Sequence, residues 1–418
     1  MKVYVKSFGC AENYSEGEAI QGLLEKEKHS IVASENNADA IVLNICTVKG
    51  PVKALRAVKE AAEKYPGKKL VVTGCVTPEL VKPIRELFPT ASILDTHAIK
   101  LVPKALESPL LQMGFSKEIK INLPKVRRNP LIGIVPICSG CLDACAFCST
   151  RLVKGILYSY PAENIISEIK NCVSDGCKEI WLTGQDTACY GFDIKTNLPK
   201  LLKQLCEIPG DFKIRLGMGN PRHVPKYLQE LISALKHEKM YKFLHLPAQS
   251  GNDNVLKAMK RGHNVETVRM IAKEMRKEIP EITLSTDVIV AHPGETRECF
   301  LETIDLLHEI GFDAVNIARF SARPNTKAFT MEKINNLEAK ERTAEMVQYA
   351  DFAMQERNQT WIGWEGEALI DEHGKNETFV ARNYAYKPII LKGSLKLGET
   401  VRVKIADAGA YDLRASLL

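Results

Sequence analysis

The 418-residue chain is predicted to be an α/β protein of three units: an N-terminal open parallel α/β sheet, a central partial (β/α) barrel and a small C-terminal antiparallel β-barrel. Three observations lead there. Short apolar runs alternate with amphipathic helical patterns in two separate series, the pattern of parallel βαβ units. A stretch rich in Pro and basic residues divides the two series. Beyond about residue 359 the helical periodicity stops, and short strands with turn signals replace it.

The first series occupies residues 1–110. Its strands are VYVKSF (3–8), AIVLNI (40–45), KLVVTG (69–74) and ASILDT (91–96), with amphipathic stretches beginning near Asn13, Lys49 and Thr77. Residues 111–130 carry Lys117, Lys120, Lys125, Arg127 and Arg128 and are expected to form an extended, exposed basic linker. The second series, 131–335, contains LIGIVPI (131–137), EIWLTG (179–184), KIRLGM (213–218), YKFLHL (241–246), ITLSTDVIV (282–290) and AVNIARF (314–320). Helical patterns at 162–175, 224–236, 264–278 and 296–310 separate these runs. Such a barrel places its chemistry at the C-terminal ends of its strands. A connecting helix over 336–358 leads to the terminal barrel, 359–418.

Composition sets the class. With 45% hydrophobic and 26% charged residues, the chain is neither collagen-like nor disordered. No run approaches the ~18 consecutive apolar residues of a membrane span. The start MKVYVKSFGC lacks the plan of a secretory signal, so a cytoplasmic protein with no membrane partner is expected. A net charge of +6 permits an anionic partner without requiring one.

The 12 cysteines are too few for a disulfide scaffold, and in a reducing compartment closely spaced thiols bind metal or do redox chemistry. Cys141, Cys145 and Cys148, spaced C-x3-C-x2-C, follow the first strand of the second series. Three thiolates on one loop can hold one corner of an iron–sulfur cubane and leave its fourth iron open, whereas structural zinc takes four protein ligands. Cys138 offers a fourth thiol and keeps a zinc or four-thiolate site open. A second trio is spread through the sequence: Cys10, Cys46 and Cys75 each follow a strand of the first series. Carboxyl ends of parallel strands line one edge of such a sheet, so these thiols should converge; three small buried hydrophobes are the alternative. Cys172, Cys177, Cys189, Cys206 and Cys299 show no ligand spacing and are assigned to packing.

CLDACAFC (141–148) resembles the radical S-adenosylmethionine signature. Together with the strand-end cysteines and a terminal barrel it resembles the methylthiotransferases, which attach a methylthio group to tRNA adenosine 37 or to a ribosomal-protein aspartate. LTGQDTACYG (182–191), HLPAQSGNDNVL (245–256), TDVIVAHPGET (286–296) and ARPNTKAF (322–329) extend the likeness over essentially the whole chain. SYPAENI (159–165) and LTGQDT resemble the archaeal and eukaryotic branch acting on N6-threonylcarbamoyladenosine. Lys154-Gly155 and Ser159-Tyr160 stand where bacterial relatives usually carry Arg-Gly and Ser-Arg, which argues against the isopentenyladenosine and ribosomal-protein branches. Asn325-Thr326 departs from a common Gly-Thr.

The resemblance implies a methylthiotransferase domain, a radical-SAM partial barrel and a TRAM-like RNA-binding barrel, with two [4Fe-4S] clusters and S-adenosyl-L-methionine as cofactors. Cys141, Cys145 and Cys148 would hold the radical cluster; Cys10, Cys46 and Cys75 would hold an auxiliary one. Phe147 corresponds to an adenine contact, with core packing as the alternative. Gly184, Gln185 and Asp186 correspond to a segment near the methionine amino group, with a helix N-cap at Asp186 as the alternative. Gln249, Ser250 and Asp287 are candidate cofactor or substrate contacts, while His245 and His292 are read as structural, with acid–base groups as the alternative. The implied partners are the tRNA anticodon loop, a sulfur donor and an electron donor. Single-stranded loops are read by stacking, making Trp361, Trp364, Phe379, Tyr384 and Tyr386 candidate platforms, with barrel core as the alternative. A cluster-bearing or zinc-bearing RNA-binding module is the non-enzymatic reading.

Overall fold

The structure, a computed structural model, describes residues 1–46 and 50–418. The first unit is a six-stranded, wholly parallel sheet ordered β2-β1-β3-β4-β5-β6, built from β1 (Lys2–Ser7), β2 (Ser30–Ile31), β3 (Ala40–Ile45), β4 (Lys69–Gly74), β5 (Ser92–Leu94) and β6 (Leu111–Gln112). Helices α1 (Ala11–Lys26), α2 (Pro51–Lys64), α3 (Pro78–Leu87) and α4 (Val102–Glu107) cover its two faces. The helix start expected near Lys49 lies outside the described residues. Strand β3 is buried throughout because it is central and covered on both sides. Its period of two sends Ile41, Leu43 and Ile45 to the core under α2 and α3, and Ala40 and Val42 to the core under α1 and α4.

The central unit has six parallel strands, β7 (Ile132–Pro136), β10 (Glu179–Thr183), β11 (Lys213–Leu216), β12 (Phe243–His245), β13 (Thr283–Val290) and β14 (Ala314–Arg319). They form two three-stranded sheets, joined where Met240 pairs in parallel with Ile214. A ribbon of β8 (Cys138–Ser139) and β9 (Tyr158–Ser159) stands over the end of β7. Helices α5 (Thr150–Lys154), α6 (Ala162–Ser174), α7 (Leu198–Cys206), α8 (Leu228–Leu235), α9 (Asp253–Met259), α10 (Val265–Glu278) and α11 (Arg297–Ile310) complete it. The barrel is partial, so β7 keeps an unpaired edge. Helix α1 lies along it: Ser15 Oγ and Lys125 Nζ both donate to the Ile134 carbonyl, at 3.2 and 3.0 Å. Covering an edge in this way blocks pairing with another chain.

The structure corrects the exposed basic linker in part: Lys117 and Arg128 are exposed, but the other basic residues are engaged. Residues 120 and 121 are buried, and Lys125 pairs with Glu168 at 2.6 Å. Arg127 reaches Asp175 at 2.7 Å, and Arg128 lies over the Tyr14 ring. A buried carboxylate needs a paired cation; Lys125 supplies it to Glu168 and Lys120 to Glu16.

Helix α12 (Asn336–Gln359) runs from β14 to a closed barrel of β15 (Glu365–His373), β16 (Thr378–Arg382), β17 (Pro388–Lys392), β18 (Thr400–Ala408) and β19 (Leu413–Leu417). The expected antiparallel barrel has one parallel seam, β17 with β19. An odd number of strands closed in a ring cannot alternate direction at every neighbour. The barrel docks through Tyr386, whose ring centroid lies 4.8 Å from that of Tyr241 and 5.3 Å from that of Phe243. Lys387 Nζ donates to Asp313 Oδ1 at 2.8 Å and Asn358 Oδ1 at 2.9 Å.

Candidate active site between two thiol clusters

Strands β1, β3 and β4 are neighbours, with Ser7 opposite Asn44 and Ile45 opposite Gly74. Cys10, Cys46 and Cys75 therefore leave the same edge of the sheet side by side. The Cys10 thiol hydrogen-bonds to Cys46, and the Cys75 amide donates to the Ile45 carbonyl at 3.0 Å. Gly9 permits this approach, because a Cβ there would stand 2.6 Å from Cys46 Cβ. Burial pushes the Cys75 thiol up to about 11; a bound metal would draw off that proton. Beside the trio, the Arg323 guanidinium faces Cys46.

The loop after β8 carries the second trio. The Cys148 amide donates to the Cys145 carbonyl at 3.1 Å, which curls the loop. Donors surround its sulfurs: Arg261 Nη1 lies 3.4 Å from Cys145 Sγ, the Asp143 amide 3.3 Å from Cys141 Sγ, and the amides of Thr150 and Arg151 point at Cys148. Burial raises the Cys145 and Cys148 thiols, and Arg261 and the amides oppose it. This donor set fits thiolates holding an anionic cluster. Cys138 is turned away from a four-thiolate role, with its thiol directed at the Asp186 carbonyl, 3.8 Å off. Of the cysteines assigned to packing, Cys189 hydrogen-bonds to Cys141, and Cys172 and Cys177 hydrogen-bond to each other.

The remaining expected residues divide by what their side chains touch. Asp186 is buried and caps the turn after β10, accepting from the Ala188 amide at 3.0 Å and the Asn220 amide at 2.9 Å. Its other oxygen, like Gln249 Oε1 and His292 Nε2, is buried without a hydrogen-bond partner. Such acceptors suit an ammonium and the hydroxyls of a bound nucleoside, so S-adenosylmethionine fits here. Gln249 also holds φ at +71°, a strained value for a residue other than glycine. Phe147 packs with Val255, Met259 and Cys299, its ring edge-on to His292.

The other expected contacts are engaged by the protein itself. Gly184 is needed for space, since a Cβ there would come 2.7 Å from Cys138 Sγ. Gln185 accepts from the Gly140 amide at 2.6 Å and donates to Glu12 of α1. Ser250 turns to Thr303 at 3.4 Å and accepts from the Asn252 amide at 3.2 Å. Asp287 accepts from His245 Nε2 and Asn316 Nδ2, both at 2.9 Å; burial would raise its carboxyl, but these partners hold it below the usual range. His245 is thus engaged, as the structural reading expects.

Sequence reasoning missed a polar cage under the cluster loop. Asp143 accepts from Asn220 Nδ2 at 2.6 Å, from His223 Nε2 at 3.1 Å and from Arg222. Burial works against its ionisation, yet His223 and Arg222 keep the carboxyl low. The available signal was NPRH (220–223), polar residues just beyond the C-terminal end of a barrel strand. A second omission is a buried ion network. Lys154 Nζ lies 2.9 Å from Glu12 and 2.7 Å from Glu16, and Lys120 also pairs with Glu16. It ties the helix after the cluster loop to α1.

A cavity of about 750 Å³ reaches from Cys46 and Cys75 to Ser149 and Arg151, the residues that follow Cys148. The chain matches the Radical SAM superfamily over residues 135–307, the uncharacterised protein family UPF0004 over 2–95 and the TRAM domain over 359–418. Fold and site thus define a radical SAM protein with a TRAM barrel.

The chain is 38% identical, over 98% of its length and 98% of the other, to a probable threonylcarbamoyladenosine tRNA methylthiotransferase of Methanothermobacter thermautotrophicus. It is 35% identical to the human threonylcarbamoyladenosine tRNA methylthiotransferase, over 99% of this chain and 73% of that one. It belongs to the threonylcarbamoyladenosine tRNA methylthiotransferase family. Membership implies a [4Fe-4S] cluster and S-adenosylmethionine. The radical SAM methyltransferase TsrM of Kitasatospora setae shares the fold, at 12% identity and a TM-score of 0.51 over 78% of this chain and 75% of that one. Among the described residues no helix is long and apolar enough to cross a membrane.

Proposed function

We propose that this protein adds a methylthio group to C2 of N6-threonylcarbamoyladenosine at position 37, in the anticodon loop of tRNA. One observation carries the reading: a single cavity touches Cys46 and Cys75 of the strand-end trio and runs to Ser149 and Arg151, which directly follow the loop trio. Cys141, Cys145 and Cys148 hold the radical cluster, and Cys10, Cys46 and Cys75 an auxiliary cluster. When bound, these clusters and S-adenosylmethionine supply the carbon radical that the inert C2–H bond demands and the sulfur that replaces the hydrogen. The protein's own residues bind and orient. Asp186 Oδ2, 3.6 Å from His223 Nε2, and Gln249 Oε1 accept hydrogen bonds from S-adenosylmethionine, and Phe147 packs against its adenine. Gly184, Gln185, Ser250 and Asp287 fix the loops around it. Arg261 and the loop amides stabilise charge on the radical cluster. A sulfur donor and an electron donor complete the partners, and a reducing cytoplasm suits the free thiols.

Anaerobic reconstitution should load about eight irons per chain, two cubanes, falling to about four when Cys10, Cys46 and Cys75 are replaced by alanine. Nucleoside mass spectrometry of tRNA from cells lacking the chain should show threonylcarbamoyladenosine without its methylthio group. Four irons in the unaltered protein, or unchanged nucleosides, would sink the proposal; sulfur found instead on a ribosomal peptide would move the substrate to that branch.

A further inference from the structure

We infer that Arg151 reads the carboxylate of the threonylcarbamoyl group, and so selects an anionic base over one with an apolar substituent. The inference rests on the function proposed above and names how its site tells substrates apart. The cavity between the trios has a size suited to a modified nucleobase, and its lining is mainly apolar, including Ile45, Val76, Phe115, Leu152 and Ile156.

Arg151 is one of the few charged side chains in that wall. Its side chain is half-buried, and its Nε is shielded from solvent with no hydrogen-bond partner. Among the described residues its guanidinium makes neither a hydrogen bond nor an ion pair. The acidic residues of the same cavity are already engaged. Glu79 accepts from Asn325, and Asp95 accepts from the His97 amide at 2.9 Å and the Gly114 amide at 2.6 Å. An arginine held this way in a concave apolar site is complementary to a planar carboxylate, which its fork binds in bidentate fashion.

Placement matters as much as charge. Arg151 follows Cys148 by three residues, and its amide points at the Cys148 sulfur. A carboxylate anchored on this side chain is therefore registered against the radical centre. Arg323 lines the same cavity as Cys46, in space that Gly50 leaves open: a Cβ there would lie 2.6 Å from Arg323 Nη1. A threonylcarbamoyl group carries one carboxylate at its far end, whereas an isopentenyl group carries none. The apolar wall would accept the latter, but the shielded Nε of Arg151 would stay unpaired, and sites built around a polar contact reject analogues that lack it.

The test uses the full-length, reconstituted protein and short anticodon stem-loops carrying threonylcarbamoyladenosine, its neutral methyl ester, or isopentenyladenosine. Unaltered protein should show KM for the ester raised about 10- to 100-fold over the acid, the range expected for one charge-assisted contact. Arg151→Gln should raise KM for the acid by a similar factor and leave the ester unaffected, at the iron content of the unaltered protein; Arg151→Lys should recover part of the loss. Equal KM for acid and ester, or equal losses on both in Arg151→Gln, would overturn the inference while methylthiolation itself stands. No methylthio product on any stem-loop would overturn the proposed function and this inference with it. Should Arg151→Gln fail to fold, the acid–ester comparison in the unaltered protein still decides.

Discussion

Gly184 shows how little space separates the second strand of the partial barrel from the cluster loop. A methyl group there would press on the Cys138 sulfur at 2.7 Å, so Gly184→Ala should destabilise by about 1–3 kcal/mol, the usual cost of overpacking. Removing the sulfur removes the clash. Chemical denaturation of Gly184→Ala, Cys138→Ala and the double variant should therefore give a double-variant loss smaller than the sum of the single ones. Neighbouring positions show what can be read one residue at a time. Asn325 occupies a place where relatives often carry glycine, and its φ of +63° explains both: the turn needs a left-handed residue, which asparagine tolerates better than most. The three strand-end cysteines were legible because a parallel sheet fixes which ends meet. The roles of Gly184, Ser250 and Asp287 were not, because Cys138, Thr303 and His245 reach them from other segments.

Helix α1 carries Glu12 and Glu16 one turn apart on one face. Taken alone, its sequence reads as a charged solvent face, but both carboxylates are buried. Their partners Lys120 and Lys154 lie more than a hundred residues along the chain, where no helical periodicity can reveal them. Burial would raise the Glu16 carboxyl from its ordinary 4.5, but Lys120 and Lys154 outweigh it and hold it at about 2. A carboxyl with a lowered folded pKa adds stability above its unfolded value and loses that contribution as protons return. Denaturation midpoints should thus fall as pH drops from about 4.5 through about 2. Glu16→Gln should flatten that dependence and cost about 3–5 kcal/mol near neutrality, since it leaves buried ammonium charge undercompensated.

Over the whole molecule, an aromatic contact and a set of hydrogen bonds hold the terminal barrel to the rest. Tyr386, one of the expected RNA-stacking aromatics, is 9% exposed and packs against Tyr241 and Phe243, while Trp361, Trp364 and Tyr384 pack on one another. Tyr386→Ala should cost about 3–5 kcal/mol of docking and speed limited proteolysis between α12 and β15, with the radical-cluster signal retained. Three-unit architecture was legible because a Pro-rich basic stretch interrupts one βα series and the helical period stops near residue 359; the docking was not, because aromatic residues look alike in a core, at an interface or on a free surface. The position of α1 along β7 has a further consequence for how the chain is made. The ribosome delivers the N-terminal helix before the strand it shields, so the growing barrel meets its protective neighbour as it emerges. A product begun after residue 110 would instead present a bare flank to other copies of itself, and should collect as inclusion bodies.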